Sequence, residues 1–335
     1  MNRILVAAAA AAALTSTLAA CSSSSSAGSG AASSATASSA TASSGTASSA
    51  ASSPAAAAFP LTVTASNGKV TIKAKPTRIV SLSPTATEDL YAVGAGSQVV
   101  AVDDESDYPS NAPVTKLSGL TPNVEAIAKF DPSLVVASQD SNGLVAGLGK
   151  LGIPVLIEPA AATLDNAYDE IDQIGQATGH AAAAEQVTST MQTEIAADVT
   201  KAGSSHKNLT YYWELSNAPY YSVTSSTFIG QIVGLFGLKN IADAADKASD
   251  GGYPELSQEY ILAAKPQIIF LADNEAADGG QSPEIVSKRP GWNEIPAVQD
   301  KEIIALNDDI ASRWGPRLPQ LVAEIAQAVE QASAK

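Results

Sequence analysis

The sequence predicts an α/β protein in which two Rossmann-like lobes are joined by one long helix. Three observations support this fold class. Short apolar runs alternate with segments of helical periodicity over residues 59–163 and again over residues 203–335, as a parallel sheet with covering helices requires. An Ala-rich stretch of helical spacing separates these two halves. The two halves also repeat one residue pattern, which indicates two units of the same plan.

Residues 1–20 have the composition of a secretory signal peptide rather than of folded structure. Arg3 is the only charged residue ahead of Lys69, and the apolar run Ile4–Leu14 is too short to cross a bilayer as a permanent helix. The small residues Ala19 and Ala20 then supply a cleavage point. We therefore predict an extracytoplasmic protein.

The single cysteine of the chain, Cys21, directly follows these small residues. Residues 18–21, Leu-Ala-Ala-Cys, resemble the lipobox of bacterial lipoproteins. The resemblance implies that Cys21 becomes the first mature residue and is acylated on its sulfur, which anchors the protein to the cell membrane. The alternative is an ordinary secretory signal that is followed by a cysteine by chance.

Residues 21–58 consist almost wholly of Ser, Ala, Gly and Thr and carry no charge. Such a segment cannot bury enough apolar surface to offset the entropy that ordering costs, so we predict a disordered tether. The whole chain has a net charge of −15, which argues against nucleic acid as a partner. Contact with the membrane is expected through the lipid anchor only.

Residues 59–163 predict the N-terminal lobe. Two short strands surround a Ser-Asn-Gly turn, and the buried strands that follow are RIVSLS, QVVAV, SLVVAS and IPVLIEP. Residues 164–202 have helical spacing, and an unbroken helix of that length would extend about 57 Å, which suits a strut between two lobes. Gly175 and Gly179 argue against an unbroken helix.

Residues 203–335 predict the C-terminal lobe, with strands LTYYWEL, QIIFLA and EIIAL and a closing helix PRLPQLVAEIAQAVEQ. Its segment SQEYILAAKPQIIFLA repeats the pattern of NVEAIAKFDPSLVVAS in the first lobe. Glu125 and Glu259 hold equivalent places in the two segments. A lone Glu in a first helical turn is explained by its favourable interaction with the helix dipole, which stabilises the helix by under about 1 kcal/mol. A matched pair at equivalent places instead favours a shared function.

Six segments resemble the periplasmic-binding-protein family that serves vitamin B12, haem and iron-siderophore ABC importers: RIVSLSPTATEDLYAVGA, SDYP, NVEAIAKFDPSLVV, SQEYILAAKPQII, RPGWNEIPAVQD and DDIASRWGPRL. The resemblance implies the helical-backbone periplasmic binding protein fold, with a bulky small-molecule ligand held between the lobes. It also implies that Glu125 and Glu259 dock on the subunits of a permease dimer. The protein itself is expected to be a monomer.

Within that family the segments SDYP and DDIASRWGPR are most similar to the cobalamin-binding branch. This similarity implies that Tyr108 contacts a corrin ring and that Asp309 and Arg313 face the ligand. The branch carries tryptophans in its N-terminal lobe, whereas Trp213, Trp292 and Trp314 all fall in the second half of this chain. A ferric siderophore or haem therefore stays an alternative ligand, and a surface lipoprotein without an importer partner is a further alternative.

Two more aromatic positions are candidates for the groove. Tyr220 and Tyr221 lie between a strand and a helix, where α/β sheets meet their ligands, and we predict that Tyr221 faces the groove while its neighbour packs inward. Trp314 follows Arg313 and offers a stacking face for a planar ligand, although a cation–π pair at the surface is the alternative. Trp292 is expected to be structural.

The sequence argues against an enzyme. It contains no GxSxG and no HExxH motif, and its only histidines, His180 and His206, lie at or just beyond the predicted strut. We therefore predict no catalytic residues, no bound metal ion and no cofactor, the ligand being a corrinoid or another metal chelate.

Overall fold

The first regular elements of the described residues form an antiparallel hairpin. In the computed structural model, which describes residues 58–203, 208–274 and 280–334, strands β1 (Leu61–Ala65) and β2 (Gly68–Ile72) pair across a tight turn. Gly68 has a φ of +97°, which a residue with a side chain rarely adopts. Cys21, the predicted signal peptide and all but the last residue of the predicted tether lie outside the described residues.

The N-terminal lobe is a four-stranded parallel sheet in the order β4-β3-β5-β6. The elements are β3 (Ile79–Leu82), α1 (Pro84–Ala92), β4 (Val99–Val102), α2 (Val124–Ala128), β5 (Leu134–Ala137), α3 (Leu144–Lys150) and β6 (Val155–Ile157). Almost every residue of these strands is buried, because helices or loops cover both faces. The predicted alternation of strands and helices is confirmed in this half.

The structure corrects the extent of the connecting helix. Residues 164–202 form two helices, α4 (Leu164–Thr178) and α5 (Ala181–Ala202), instead of one. The chain turns at Gly179, whose φ of +77° ends α4, and a side chain at Gly175 would collide with Ala184 of α5. Helix α5 is therefore the long helix that joins the lobes, and its 22 residues extend about 33 Å.

The C-terminal lobe repeats the plan with a four-stranded parallel sheet in the order β10-β7-β12-β13. Beside it lies a small antiparallel sheet, β11-β9-β8, that the sequence did not predict because each of its strands has two residues. The elements are β7 (Thr210–Glu214), β8 (Ser216–Asn217), β9 (Tyr220–Tyr221), α6 (Phe228–Gly234), β10 (Lys239–Asn240), β11 (Glu255–Leu256), α7 (Gln258–Ala264), β12 (Ile268–Leu271), α8 (Pro283–Val286), α9 (Pro296–Gln299), β13 (Ile303–Ala305), α10 (Asp308–Ser312) and α11 (Leu318–Ser333).

One apolar core runs through both lobes. It begins at Ile72 of the hairpin, passes through Ile171 of α4 and Met191 of α5, and reaches Ile325 of α11. Two smaller clusters fill the other faces of the two sheets. Trp292 is buried in one of these, as expected of a structural residue. Among the described residues no helix combines the length and the apolar character that crossing a membrane requires.

Candidate functional site

The N-terminal wall of the candidate site is built on α1, which begins directly after β3. Ser83 caps this helix by accepting a hydrogen bond from the Ala86 N–H at 3.4 Å, and Pro84 occupies the first helical turn. This start places Glu88 on the side of α1 that meets the C-terminal lobe, where its side chain is 1% exposed.

The opposite wall comes from the segment between α10 and α11. Asn307 caps α10 by accepting from the Ile310 N–H at 3.0 Å, and the helix ends at Arg313. Arg313 and Arg317, the two interlobe arginines, both bind Glu88 across the groove. The Arg313 Nη1–Glu88 Oε1 distance is 2.9 Å, and the Arg317 Nε–Glu88 Oε2 distance is 2.7 Å. Such charge-assisted bonds are strong when they are shielded from water.

Three predicted ligand residues converge at this contact. Arg313 Nη2 lies 2.7 Å from Asp309 Oδ1, and Arg313 Nη1 donates to Asp107 Oδ1 at 3.1 Å. Tyr108, the next residue, is 44% exposed, and the guanidinium of Arg317 stands 4.2 Å from its ring centroid, within cation–π range. Tyr108, Asp309 and Arg313 thus come together from the two lobes.

A small cavity lies at the carboxyl ends of the N-terminal strands. Its volume is about 340 Å³, and its lining combines acidic residues with the apolar side chain of Leu120, which is 73% exposed. An exposed leucine of this size offers apolar surface to a ligand. The sequence reasoning missed it, since Leu120 lies in a loop without periodicity.

Trp314 contacts the other lobe. Its Nε1–H donates to Glu170 Oε2 on α4 at 2.7 Å, and the indole ring is half-buried. The ring is thereby held at the interlobe contact by a residue that the sequence reasoning did not single out. Its predicted role in stacking on a ligand stays a prediction.

The Tyr220–Tyr221 pair divides as expected. Tyr220 is half-buried, with its ring centroid 6.0 Å from that of Trp292 and the Arg289 guanidinium 5.3 Å from the Tyr220 ring. Tyr221 is 41% exposed on β9. The exposed ring is available to a ligand, and its role there stays a prediction.

A buried ion pair lies beneath these tyrosines and was also missed. Glu214 ends β7 and is fully buried, and Arg289 donates to both of its carboxylate oxygens at 2.6 Å. Arg289 also donates to Gln281 Oε1 at 2.7 Å. A charged residue directly after the apolar run Tyr-Tyr-Trp was the one available sequence signal.

Four buried carboxylates gather near the interlobe contact. Burial, and then the charges of Glu170, Glu88 and Glu158, raise the pKa of Asp89 well above its usual value. Burial and the charge of Glu170 raise the pKa of Glu158 to about 8. Burial also raises the pKa of Glu170 to about 7, against the bond from Trp314, which lowers it.

The two matched glutamates occupy equivalent local positions. Glu125 lies in the first turn of α2 after the cap Asn123, and Glu259 lies in the first turn of α7 after the cap Ser257. Both glutamates are exposed, and their helices are followed by β5 and β12, respectively. The predicted local equivalence is confirmed, whereas their role in docking stays a prediction.

Comparison with known proteins gives consistent matches. Residues 79–310 match the family model described as "Periplasmic binding protein". The chain is 32% identical over 280 residues to the uncharacterized ABC transporter substrate-binding lipoprotein YvrC of Bacillus subtilis, which covers 81% of this chain and 86% of that protein. It is 30% identical over 279 residues to a cobalamin-binding protein of Halobacterium salinarum, covering 81% and 74% of the two chains.

Solved structures agree with these relatives. The vitamin B12 binding protein BtuF of Vibrio cholerae superposes with a TM-score of 0.65 at 27% identity, covering 78% of this chain and 99% of that one. The haem-binding protein RhuT of Roseiflexus sp. RS-1 superposes with a TM-score of 0.66 at 26% identity, covering 76% and 98%. Both similarities extend over the two lobes described above.

Proposed function

Because the chain belongs to the periplasmic binding protein family, which supplies ABC importers of vitamin B12, haem or siderophores, we propose that its own ligand is a corrinoid. Members of the family are extracytoplasmic solute-binding proteins rather than enzymes. In this proposal the protein takes up the corrinoid between its lobes and delivers it to a permease dimer.

The observation that carries the proposal is the convergence of Tyr108, Asp309 and Arg313 from two lobes at one contact. A corrinoid is a large, flat macrocycle rimmed by amide groups. The exposed rings of Tyr108 and Tyr221 suit its faces, and the Asp309–Arg313 pair suits its amides as acceptor and donor. On binding, Arg313 would exchange its bond to the exposed Asp107 carboxylate for one to the ligand.

The test is a calorimetric titration of the protein with cyanocobalamin. We expect saturable binding at one site, with affinity reduced at least tenfold in Arg313→Ala and Tyr108→Ala and unchanged in Arg78→Ala, a control at an exposed arginine of the N-terminal lobe. No binding of cyanocobalamin together with binding of hemin or a ferric hydroxamate would reject the corrinoid and retain the importer class.

We also propose that Glu125 and Glu259 dock the loaded protein on the permease, because both are exposed and equivalently placed. The double variant Glu125→Ala/Glu259→Ala should bind cyanocobalamin normally yet lose uptake in cells. The double variant Glu194→Ala/Glu255→Ala, which removes two other exposed carboxylates, should retain uptake. Unchanged uptake in the first variant would support a surface lipoprotein without an importer partner.

Membrane attachment through an acylated Cys21 completes the proposal. The Cys21→Ser variant should appear in the culture medium, whereas the unchanged protein should sediment with membranes and incorporate radiolabelled palmitate. Equal membrane attachment of the two proteins would contradict acylation at this residue.

A further inference from the structure

A second cavity, of about 350 Å³, lies between the hairpin, the loop after β6 and the helix α4. We call it the α4 cavity. Its lining contains the carboxyl groups of Glu158, Asp169 and Glu170 and the amide of Gln173. Within the part of the chain that the structure describes, no lysine, arginine or histidine contributes to this lining. The charged groups of the α4 cavity are therefore all acidic.

Two oxygen atoms of this lining are buried acceptors without a donor. Glu158 is only 4% exposed, and among the described residues its Oε1 has no hydrogen-bond partner. Gln173 Oε1 is likewise buried and without a partner there. Buried acceptors of this kind cost free energy unless a donor reaches them, so each marks a place where a donor would be stabilised.

Among the described residues, no cationic side chain bonds to these oxygens. The carboxylates that act on Glu158 and its neighbours come from α4 (Glu170) and α1 (Glu88 and Asp89), and all of them are buried. The two interlobe arginines are bound to Glu88, and the hydrogen bond that Glu170 accepts within the described part of the chain comes from the neutral indole N–H of Trp314. The raised pKa of Glu158 is what burial without a cationic partner produces.

We propose that the α4 cavity is a binding site for a small organic cation with N–H donors, such as a protonated primary amine. Its ammonium group would donate to Glu158 Oε1 and Gln173 Oε1, and its charge would be balanced by Glu158 and Glu170. In the described residues no group of three or more His, Cys, Asp or Glu side chains is arranged to hold a metal ion, which favours an ammonium group over a metal. A primary ammonium group carries three N–H donors, so it can donate to several separated acceptors, whereas a metal ion has no donor to offer them.

The test uses n-propylammonium chloride as the probe, with tetramethylammonium chloride, which has no N–H donor, and sodium chloride at equal ionic strength. We expect n-propylammonium to raise the melting temperature and to release or absorb heat saturably, and the two other salts to do neither. Stabilisation by all three salts alike, or by magnesium chloride more than by the amine, would overturn the proposal.

Variants locate the site. Glu158→Gln keeps the size of the side chain, and we expect it to reduce the affinity for n-propylammonium at least tenfold. Glu194→Gln removes the same charge from an exposed position on α5 and should bind as the unchanged protein does. Equal affinity of the amine for the Glu158→Gln and unchanged proteins would overturn the assignment.

The pH dependence gives a readout that needs no variant. Because the amine binds the ionised carboxylate, its affinity should rise by up to about tenfold per pH unit toward pH 8 and level off above it. An affinity that does not change between pH 6 and pH 8 would contradict binding at Glu158. None of these experiments contains a corrinoid, so their outcome is separate from that of the proposed function.

Discussion

Glu214 in the C-terminal lobe and Glu158 in the N-terminal lobe are both buried at the carboxyl end of a parallel strand, but they differ in their partners. Glu214 ends a parallel strand and Glu158 directly follows one, and they are 0% and 4% exposed. Arg289 binds both oxygens of Glu214, whereas Glu158 has no cationic partner among the described residues. Each lobe therefore buries a carboxylate at the carboxyl end of a parallel strand, on the central β7 in one lobe and after the edge strand β6 in the other, and only the first is neutralised by an arginine.

The difference shows that a neighbouring arginine decides whether a buried carboxylate serves as a structural ion pair or as a titratable group. With an arginine beside it, the carboxylate forms a charge-assisted pair that ties the segment after α8 to the sheet. Without one, it keeps a proton at neutral pH and becomes a titratable site. The C-terminal lobe also contains a carboxyl group with a raised pKa, because burial and the charge of Glu214 raise the pKa of Asp273 to about 7 against the charge of Arg289, which lowers it.

The largest effect on stability is expected from the removal of Arg289. In Arg289→Met, Glu214 is left buried and uncompensated, and we expect the free energy of unfolding to fall by about 3–5 kcal/mol, measured by chemical denaturation. The exposed Lys116→Met serves as the control and should change stability little. The double variant Glu214→Leu/Arg289→Met should recover much of the loss. A stable Arg289→Met protein would mean that the pair contributes nothing.

Glu88 is the intermediate case, since its arginines come from the other lobe. In Glu88→Gln the interlobe bonds from Arg313 and Arg317 lose their charge assistance, and we expect a loss of about 2–3 kcal/mol. X-ray scattering should also show a larger radius of gyration as the lobes separate. The exposed Glu125→Gln is the control. Unaltered stability and size would show that the lobes are held by packing alone.

The pH dependence of stability tests whether Glu158 and Glu170 titrate with raised pKa values in the folded protein. The pKa values of Glu158 and Glu170 are higher in the folded than in the unfolded protein, so the folded state binds more protons between pH 4.5 and 8. Stability from this source is present at low pH and is lost as pH rises. We expect each group to contribute a slope of up to about 1.4 kcal/mol per pH unit in denaturation measured from pH 5 to 8.

Glu158→Gln should flatten that slope, and the exposed Glu194→Gln should leave it as it is. A profile that is the same in the unchanged protein and in Glu158→Gln would mean that Glu158 titrates normally in the folded state.

The smallest effect is expected from Trp314. In Trp314→Phe the hydrogen bond to Glu170 is lost, which should cost about 1 kcal/mol in denaturation at pH 6. Since that bond lowers the pKa of Glu170, the variant should also move the upper end of the pH dependence to higher pH. A shift to lower pH would contradict the bond.

Much of the fold could be predicted because its strands and helix caps depend on residues that are close together in the sequence. Strands such as β5 and β12 are apolar runs, and the caps of α2 and α7 lie within three residues of their partners, so neighbouring residues suffice to identify them. The break at Gly179 was signalled by the glycine itself, although its effect depended on how closely α5 packs on α4.

The site could be predicted only where a family resemblance supplied it. Glu88 and Arg313 are 225 positions apart in sequence, and Trp314 and Glu170 are 144 apart. No periodicity or spacing relates such residues, since their meeting depends on how the two lobes are placed by α5. The same holds for the α4 cavity, whose acceptors can be identified only once the fold shows that no donor among the described residues reaches them.

The apolar core that passes from the hairpin through α4 and α5 to α11 has a thermodynamic consequence. Two lobes that share one interior form a single cooperative unit, so calorimetry should record one melting transition, not two. The amide hydrogens in the middle of α5 should then exchange with deuterium only when the whole molecule unfolds.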